Sequence, residues 1–146
     1  MARAVETLAS MPLATMGVIG LCCSVYLYQV VLEPPMYAYT MNPRNVLYLR
    51  EYYRFISSSL FHGGLMHLGM NMLSTAAISS LLEKRFGTLR QIVSILWSIL
   101  LTSVVYTIVA LLLSALLGMD DLMYQHSVGF SGVIFHLSVL ESGTTS

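Results

Sequence analysis

The chain has 146 residues, 56% of them hydrophobic and only 10% charged, whereas a soluble domain carries about 25% charged residues. Seven basic and seven acidic side chains give a formal charge of zero, so there is no positive footprint for nucleic acid. These numbers exclude a water-soluble domain and a nucleic-acid binder, and they call for an all-α polytopic membrane protein.

The first predicted element is Leu13 to Leu32, an uncharged run of 20 residues, about the number that crosses a hydrocarbon core. It stops at Glu33-Pro34-Pro35. A cleaved signal peptide with Arg3 as its basic region is the alternative, but such peptides carry an apolar part of only about 7 to 15 residues. A retained helix is the expectation. Cys22 and Cys23 are neighbours inside this run, where adjacent positions on a helix lack the geometry for a disulfide, so they serve packing.

A long first loop, 33–62, follows. Val46, Leu47, Leu49, Tyr52, Tyr53, Phe55 and Ile56 suit a segment lying at the membrane interface rather than in water. The second span, 63–82, is apolar except for His67 and Asn71 and is rich in small residues, including Gly69, Ser74, Ala76 and Ala77. Small side chains let helices approach closely in lipid, so this helix is expected at the centre of a bundle. The third span, 92–117, is uncharged and rich in Leu, Ile and Val, as a lipid-facing helix would be.

The fourth apolar segment, 127–140, has 14 residues and reaches about 21 Å, short of the roughly 30 Å core. Either the polar residues before it enter the protein interior, or the helix begins part-way down in a hydrated cavity, because backbone at that depth must be buried in protein or wet. Counting cations puts Arg3, Lys84, Arg85 and Arg90 on one side and Arg44, Arg50 and Arg54 on the other. The positive-inside rule then places the N-terminus in the cytosol.

Within the spans, His62, His67 and Asn71 form the pattern His-x4-His-x3-Asn. A spacing of four places His67 and Asn71 within about 40° of one helix face. His62 is about 140° away on an unbroken helix and is followed by Gly63-Gly64, which puts it at the helix entrance, holding the loop. Each of these, taken singly, reads as a packing polar residue bonded to a neighbouring helix. Together they mark a functional site, since polar groups at depth are costly.

A zinc protease helix needs His-Glu-x-x-His, and here the spacing is five with no glutamate between, so no metal or other cofactor is expected. Paired intramembrane aspartates are ruled out as well, because Asp120 and Asp121 are adjacent in a loop. Serine chemistry remains. Ser131 lies at the start of the short fourth segment within 129-GFSG-132, and a nucleophilic hydroxyl needs a base and donors aimed at the developing oxyanion. His67, Asn71 and the Ser131 N–H can supply those donors, while Gly129 and Gly132 would let a substrate backbone come close. Gly-x-Ser-Gly is not the Gly-x-Ser-x-Gly elbow of soluble hydrolases; a glycine-flanked serine in a helix is usually a packing notch.

The two motifs together, 62-HGGLMHLGMN-71 and 129-GFSG-132, resemble those of the rhomboid family of intramembrane serine proteases, in the same order. "EYYRF" at 51–55 is similar to the family's aromatic-Arg motif in the first loop, with Tyr53 where tryptophan is usual, and "EKRFG" at 83–87 is similar to its Glu-x3-Gly turn. The resemblance implies one rhomboid-type membrane domain over 1–146, a helical bundle with about four of the six core transmembrane helices. It assigns Ser131 as nucleophile, His67 and Asn71 as oxyanion donors, and His62, Gly129, Gly132, Tyr53 and Arg54 as structural support. Transmembrane protein substrates and the lipid bilayer are the implied partners, in a multi-pass protein of an endomembrane compartment.

The family's base is a histidine on the sixth helix in an Ala-His motif, and no Ala-His occurs in this sequence. His136 is five residues beyond Ser131, about 140° around the same helix. His126 would need a fold-back, and His67 would have to leave the oxyanion. The base is therefore expected outside the chain, which reads as a fragment, a truncated isoform or an incomplete gene. Two functions remain: an intramembrane serine endopeptidase completed by further helices, or a non-catalytic binder of client transmembrane helices.

Overall fold

The computed structural model describes residues 11–145, so Arg3 and the side assigned to it lie outside the described residues. Helix α1, Leu13–Leu32, fills the first predicted span and ends where Glu33 turns left-handed at φ 44°. Pro34 disfavours a helical Glu33, and Glu33 N–H closes the last turn onto the Gln29 carbonyl.

The first loop contains two short helices that hydropathy did not resolve. Helix α2, Pro43–Tyr48, starts with proline at its first turn and is capped by Asn42, whose side chain accepts from Asn45 N–H; both features favour a helix start. Helix α3, Arg54–Leu60, follows it. Among the described residues the fold is helical throughout, with one isolated antiparallel bridge, Met41 with Ser127.

Helix α4 spans Leu65–Phe86 and α5 spans Thr88–Leu117, joined by Gly87 alone at φ 89°. The predicted ends at residues 82 and 92 fall inside these helices. Glu83, Lys84, Arg85 and Arg90 lower hydropathy, but they continue the backbone hydrogen bonding, and cations in the last turn of α4 favour its C-terminus. Helix α6 runs Ser131–Thr145, not 127–140. Ser127 is held in the bridge to Met41, and Gly129 at φ 113° cannot continue a helix.

Helices α1, α4 and α5 are long and apolar enough to cross a membrane. The 15 residues of α6 rise about 22 Å and fall short of the core thickness. Contacts between Thr15 and Glu83 and between Gln29 and His62 run α1 antiparallel to α4. Helix α4 is central: its Leu68, Met72 and Leu82 pack with Cys22 of α1, Ile95 and Ile99 of α5, and Val133 and Leu137 of α6. The first loop and the segment before α6 share one end of the bundle, joined by the Met41–Ser127 hydrogen bonds of 2.8 and 3.0 Å. Lys84 and Arg85 lie at the other end.

That other end is closed by a buried polar knot. Glu83 accepts from Ala14 N–H and Thr15 N–H at 2.8 Å each and from the Thr15 hydroxyl. Thr15 also bonds Ser79, to which Gln91 Nε2 donates at 2.7 Å. The carboxylate of α4 thus satisfies the free N–H groups that begin α1, and Gln91 adds α5 to the same cluster.

Candidate active site

The site is built where α4 begins and the 127–130 turn passes over it. His62 precedes the helix and is 1% exposed. Its backbone is clamped from α1: His62 N–H donates to Gln29 Oε1 at 3.0 Å, and Gln29 Nε2 donates to the His62 carbonyl at 2.9 Å. The ring is tied through Nδ1 to the Leu60 carbonyl at 3.0 Å and meets the His67 ring edge-on, with centroids 5.4 Å apart. Burial, partly offset by the Leu60 carbonyl and reinforced by His67, holds the His62 pKa below the ordinary histidine range. His62 is therefore neutral at pH 7 and fits a supporting part.

His67, Asn71 and Thr75 follow at helical spacing along one face of α4. Asn71 and Thr75 are buried, and neither Asn71 Nδ2 nor Thr75 Oγ1 has a hydrogen-bond partner; His62 Nε2 is in the same state. Elsewhere Thr102 and Thr107 donate to carbonyls of their own helix, the usual outlet for a helical hydroxyl. Buried polar atoms left unsatisfied are uncommon, and each requires a cause.

The backbone that covers this face is Gly129. A Cβ there would stand 2.6 Å from His67 Cε1, 2.8 Å from His67 Nε2 and 3.3 Å from Asn71 Nδ2. Only glycine allows both this approach and φ 113°. Gly129 N–H donates to the Ser58 carbonyl at 2.8 Å, which fixes the turn against α3. The His67 imidazole and the Asn71 amide thus converge on the backbone two residues before Ser131.

Ser131 opens α6, so its N–H has no acceptor within its own helix, and its side chain is exposed. It lines a cavity of about 170 Å³ with Ser58, Ser59, Thr102, Ser103, Tyr106 and Gly129. Hydroxyl groups dominate that wall, which suits water in an otherwise apolar bundle. Gly132 has a different neighbour from the substrate backbone expected for it: a Cβ would meet Thr102 Cβ at 3.3 Å. Its small size serves the packing of α6 on α5, and α5, read from sequence as lipid-facing, also supplies one wall of the opening.

Arg54 is 3% exposed. Its Nη1 donates to the carbonyls of Tyr37 at 2.8 Å and Thr40 at 2.7 Å, and its Nε pairs with Glu51 at 2.6 Å. Arg54 holds the Glu51 carboxyl below the ordinary carboxylate range. Tyr53 lies under the Arg54 guanidinium, and its hydroxyl donates to the Ala38 carbonyl. Both side chains shape the first loop.

The other histidines are engaged away from Ser131. His126 bonds the Thr40 hydroxyl and Asn42, while His136 Nδ1 bonds Ser98 on α5 at 2.6 Å. Sequence reasoning overlooked Gln29 and Thr75. A glutamine in an apolar run was the available signal for the first; Thr75 had none, being one small residue among many.

The family model for the rhomboid domain matches residues 49–142. The chain is 30% identical to rhomboid-like protein 15 of Arabidopsis thaliana over 147 aligned positions, covering 94% of this chain and 36% of that protein. It is 33% identical to rhomboid-related protein 4 of Mus musculus over 108 positions, 74% of this chain and 34% of the relative. Identity with the Homo sapiens protein of the same name is 29%, over 75% of this chain and 35% of the relative. The chain spans about a third of the length of these curated relatives. The match takes in α4, α5 and most of α6, with His62, His67, Asn71 and Ser131, and on it the chain belongs to the rhomboid family of integral membrane proteins.

Proposed function

We propose that this chain carries the nucleophile and the oxyanion donors of an intramembrane serine endopeptidase that cleaves transmembrane segments. The observation that carries the reading is the buried Asn71 amide, unpartnered beside Gly129 and the start of the Ser131 helix. A donor left open at that cost is suited to a charge that exists only during reaction.

In the proposed reaction, Ser131 Oγ attacks the scissile carbonyl, a C–O bond forms and the hydroxyl proton passes to a base. The carbonyl oxygen becomes an oxyanion, held by His67, Asn71 and the Ser131 N–H. Collapse breaks the C–N bond, and the amine leaves with the proton from the base. Water then hydrolyses the acyl-serine. His126 and His136 hold other partners, which supports a reading in which neither of them is the base and a further helix or a partner chain supplies it.

Those same engaged histidines favour a second reading for these 146 residues taken alone, a non-catalytic binder of client transmembrane helices. A fluorophosphonate probe separates the two. In a form supplied with the remaining rhomboid helices, the probe labels Ser131, and Ser131→Ala abolishes both labelling and cleavage of a transmembrane substrate. A completed form that neither labels nor cleaves, yet retains client helices in a pull-down, overturns the protease reading in favour of the binder.

A further inference from the structure

A second cavity, of about 380 Å³, lies away from Ser131 where the last turns of α5 meet α2 and the segment 120–124. Helix α5 has 30 residues and rises about 45 Å, well beyond a hydrocarbon core of about 30 Å, so its C-terminal turns stand at the headgroup level. The exposed Tyr48 and Tyr124 beside the cavity suit that level too.

The cavity carries both signs of charge. Arg44 sits over the Tyr124 ring, its guanidinium carbon 5.4 Å from the centroid. Asp120 is oriented by the Ser114 hydroxyl, which donates to Oδ1 at 2.5 Å. Both residues are exposed and line the same space, yet they form no ion pair with each other. Arg44 and Asp120 are thus held apart, each by its own neighbour, with room between them. Leu111 lines the cavity from α5, on a helix rich in exposed apolar side chains.

We propose that this cavity binds the headgroup of a zwitterionic phospholipid of the ethanolamine type. The phosphate pairs with Arg44, whose planar fork matches phosphate oxygens. The ammonium, two carbons away, donates to Asp120 beside the faces of Tyr48 and Tyr124. The acyl chains follow Leu111 down the α5 surface. An anionic lipid such as phosphatidylglycerol would meet Arg44 but offer Asp120 only neutral hydroxyls in place of an ammonium, so the pair of charges selects the zwitterion.

The test uses the 146-residue chain in phosphatidylcholine vesicles doped with a photoactivatable phosphatidylethanolamine or phosphatidylglycerol, with crosslinks mapped by mass spectrometry. Phosphatidylethanolamine is expected to label peptides containing Tyr48 or Tyr124. Arg44→Gln should lower that labelling about fivefold. Asp120→Asn should lower it for phosphatidylethanolamine and leave or raise it for phosphatidylglycerol. Helix content by circular dichroism checks that both variants fold. Equal labelling by the two lipids in the parent protein, or labelling unchanged in both folded variants, overturns the proposal. Full competition by soluble phosphoethanolamine also overturns it, by assigning the cavity to a soluble ligand.

Discussion

The two ends of α4 hold polar clusters of similar size and opposite condition. At the C-terminal end, Glu83, Ser79, Thr15 and Gln91 satisfy one another and the first N–H groups of α1. From the N-terminal end to the middle of the helix, His62, Asn71 and Thr75 each keep a buried polar atom without a partner. Polar groups inside a membrane are expensive in either case. A saturated cluster returns that cost as bonds between helices, so it acts on the fold. An unsaturated cluster returns it only when something else arrives, and this is what sets the end proposed for chemistry apart from the end that serves the fold.

The sharpest separation comes from Ser131→Ala. In a form carrying the remaining helices, turnover of a transmembrane substrate should fall on the order of 10⁶-fold, while the melting temperature in micelles stays within error. A large loss of melting temperature would make Ser131 part of the scaffold. The opposite pattern is expected of Glu83→Ala, which strands three donors of α1 and should cost about 4 kcal/mol of stability in a denaturant titration. If Glu83→Ala melts like the parent, the saturated knot does not hold the bundle and the comparison fails.

Asn71→Ala probes the unsaturated end directly. If Asn71 is the oxyanion donor proposed above, the expected effect is a rise of about 3 kcal/mol in the activation barrier, read from kcat, with little change in melting. Arg54→Ala should instead cost about 2 kcal/mol of stability by releasing two loop carbonyls, with a proportionate loss of activity. The Glu51 carboxyl beside it has a folded pKa below its unfolded one. Its contribution is therefore present above the ordinary carboxylate range and is lost as pH falls below that range. Glu51→Gln should flatten the acid side of the melting profile, and a profile unchanged by that substitution would sink the pairing as its cause.

The smallest effect is the most diagnostic. Thr75→Val replaces an unpartnered hydroxyl with a methyl of nearly the same shape, so stability should shift within about 0.5 kcal/mol or rise. A loss well above that would mean that Thr75 has a partner, and the N-terminal cluster would be less open than described.

Much of this was legible in sequence because hydropathy and helical spacing register lipid contact and shared faces. The α1 boundaries followed from an uncharged run and a proline pair, and the shared face of His67 and Asn71 followed from a spacing of four. The joint at Gly87 came from the resemblance of 83–87 to a Glu-x3-Gly turn and not from hydropathy, because charged residues leave the membrane without leaving the helix. The start of α6 was misread for the converse reason. Ser127 and Val128 are apolar enough to extend the run, but their backbone is committed elsewhere, to Met41 and to the turn that Gly129 makes. The clamp of Gln29 on the His62 backbone pairs positions far apart in the chain, a relation no local pattern carries.

The Met41–Ser127 bridge has a mechanical meaning. Two hydrogen bonds fasten the start of the first loop to the strand of chain that turns through Gly129 into Ser131. Helix α2 begins two residues after Met41, so any displacement of α2 is passed by a short coupling to the turn that leads into Ser131. The start of α2 and the Gly129 turn are thereby tied to each other through a lever only a few residues long.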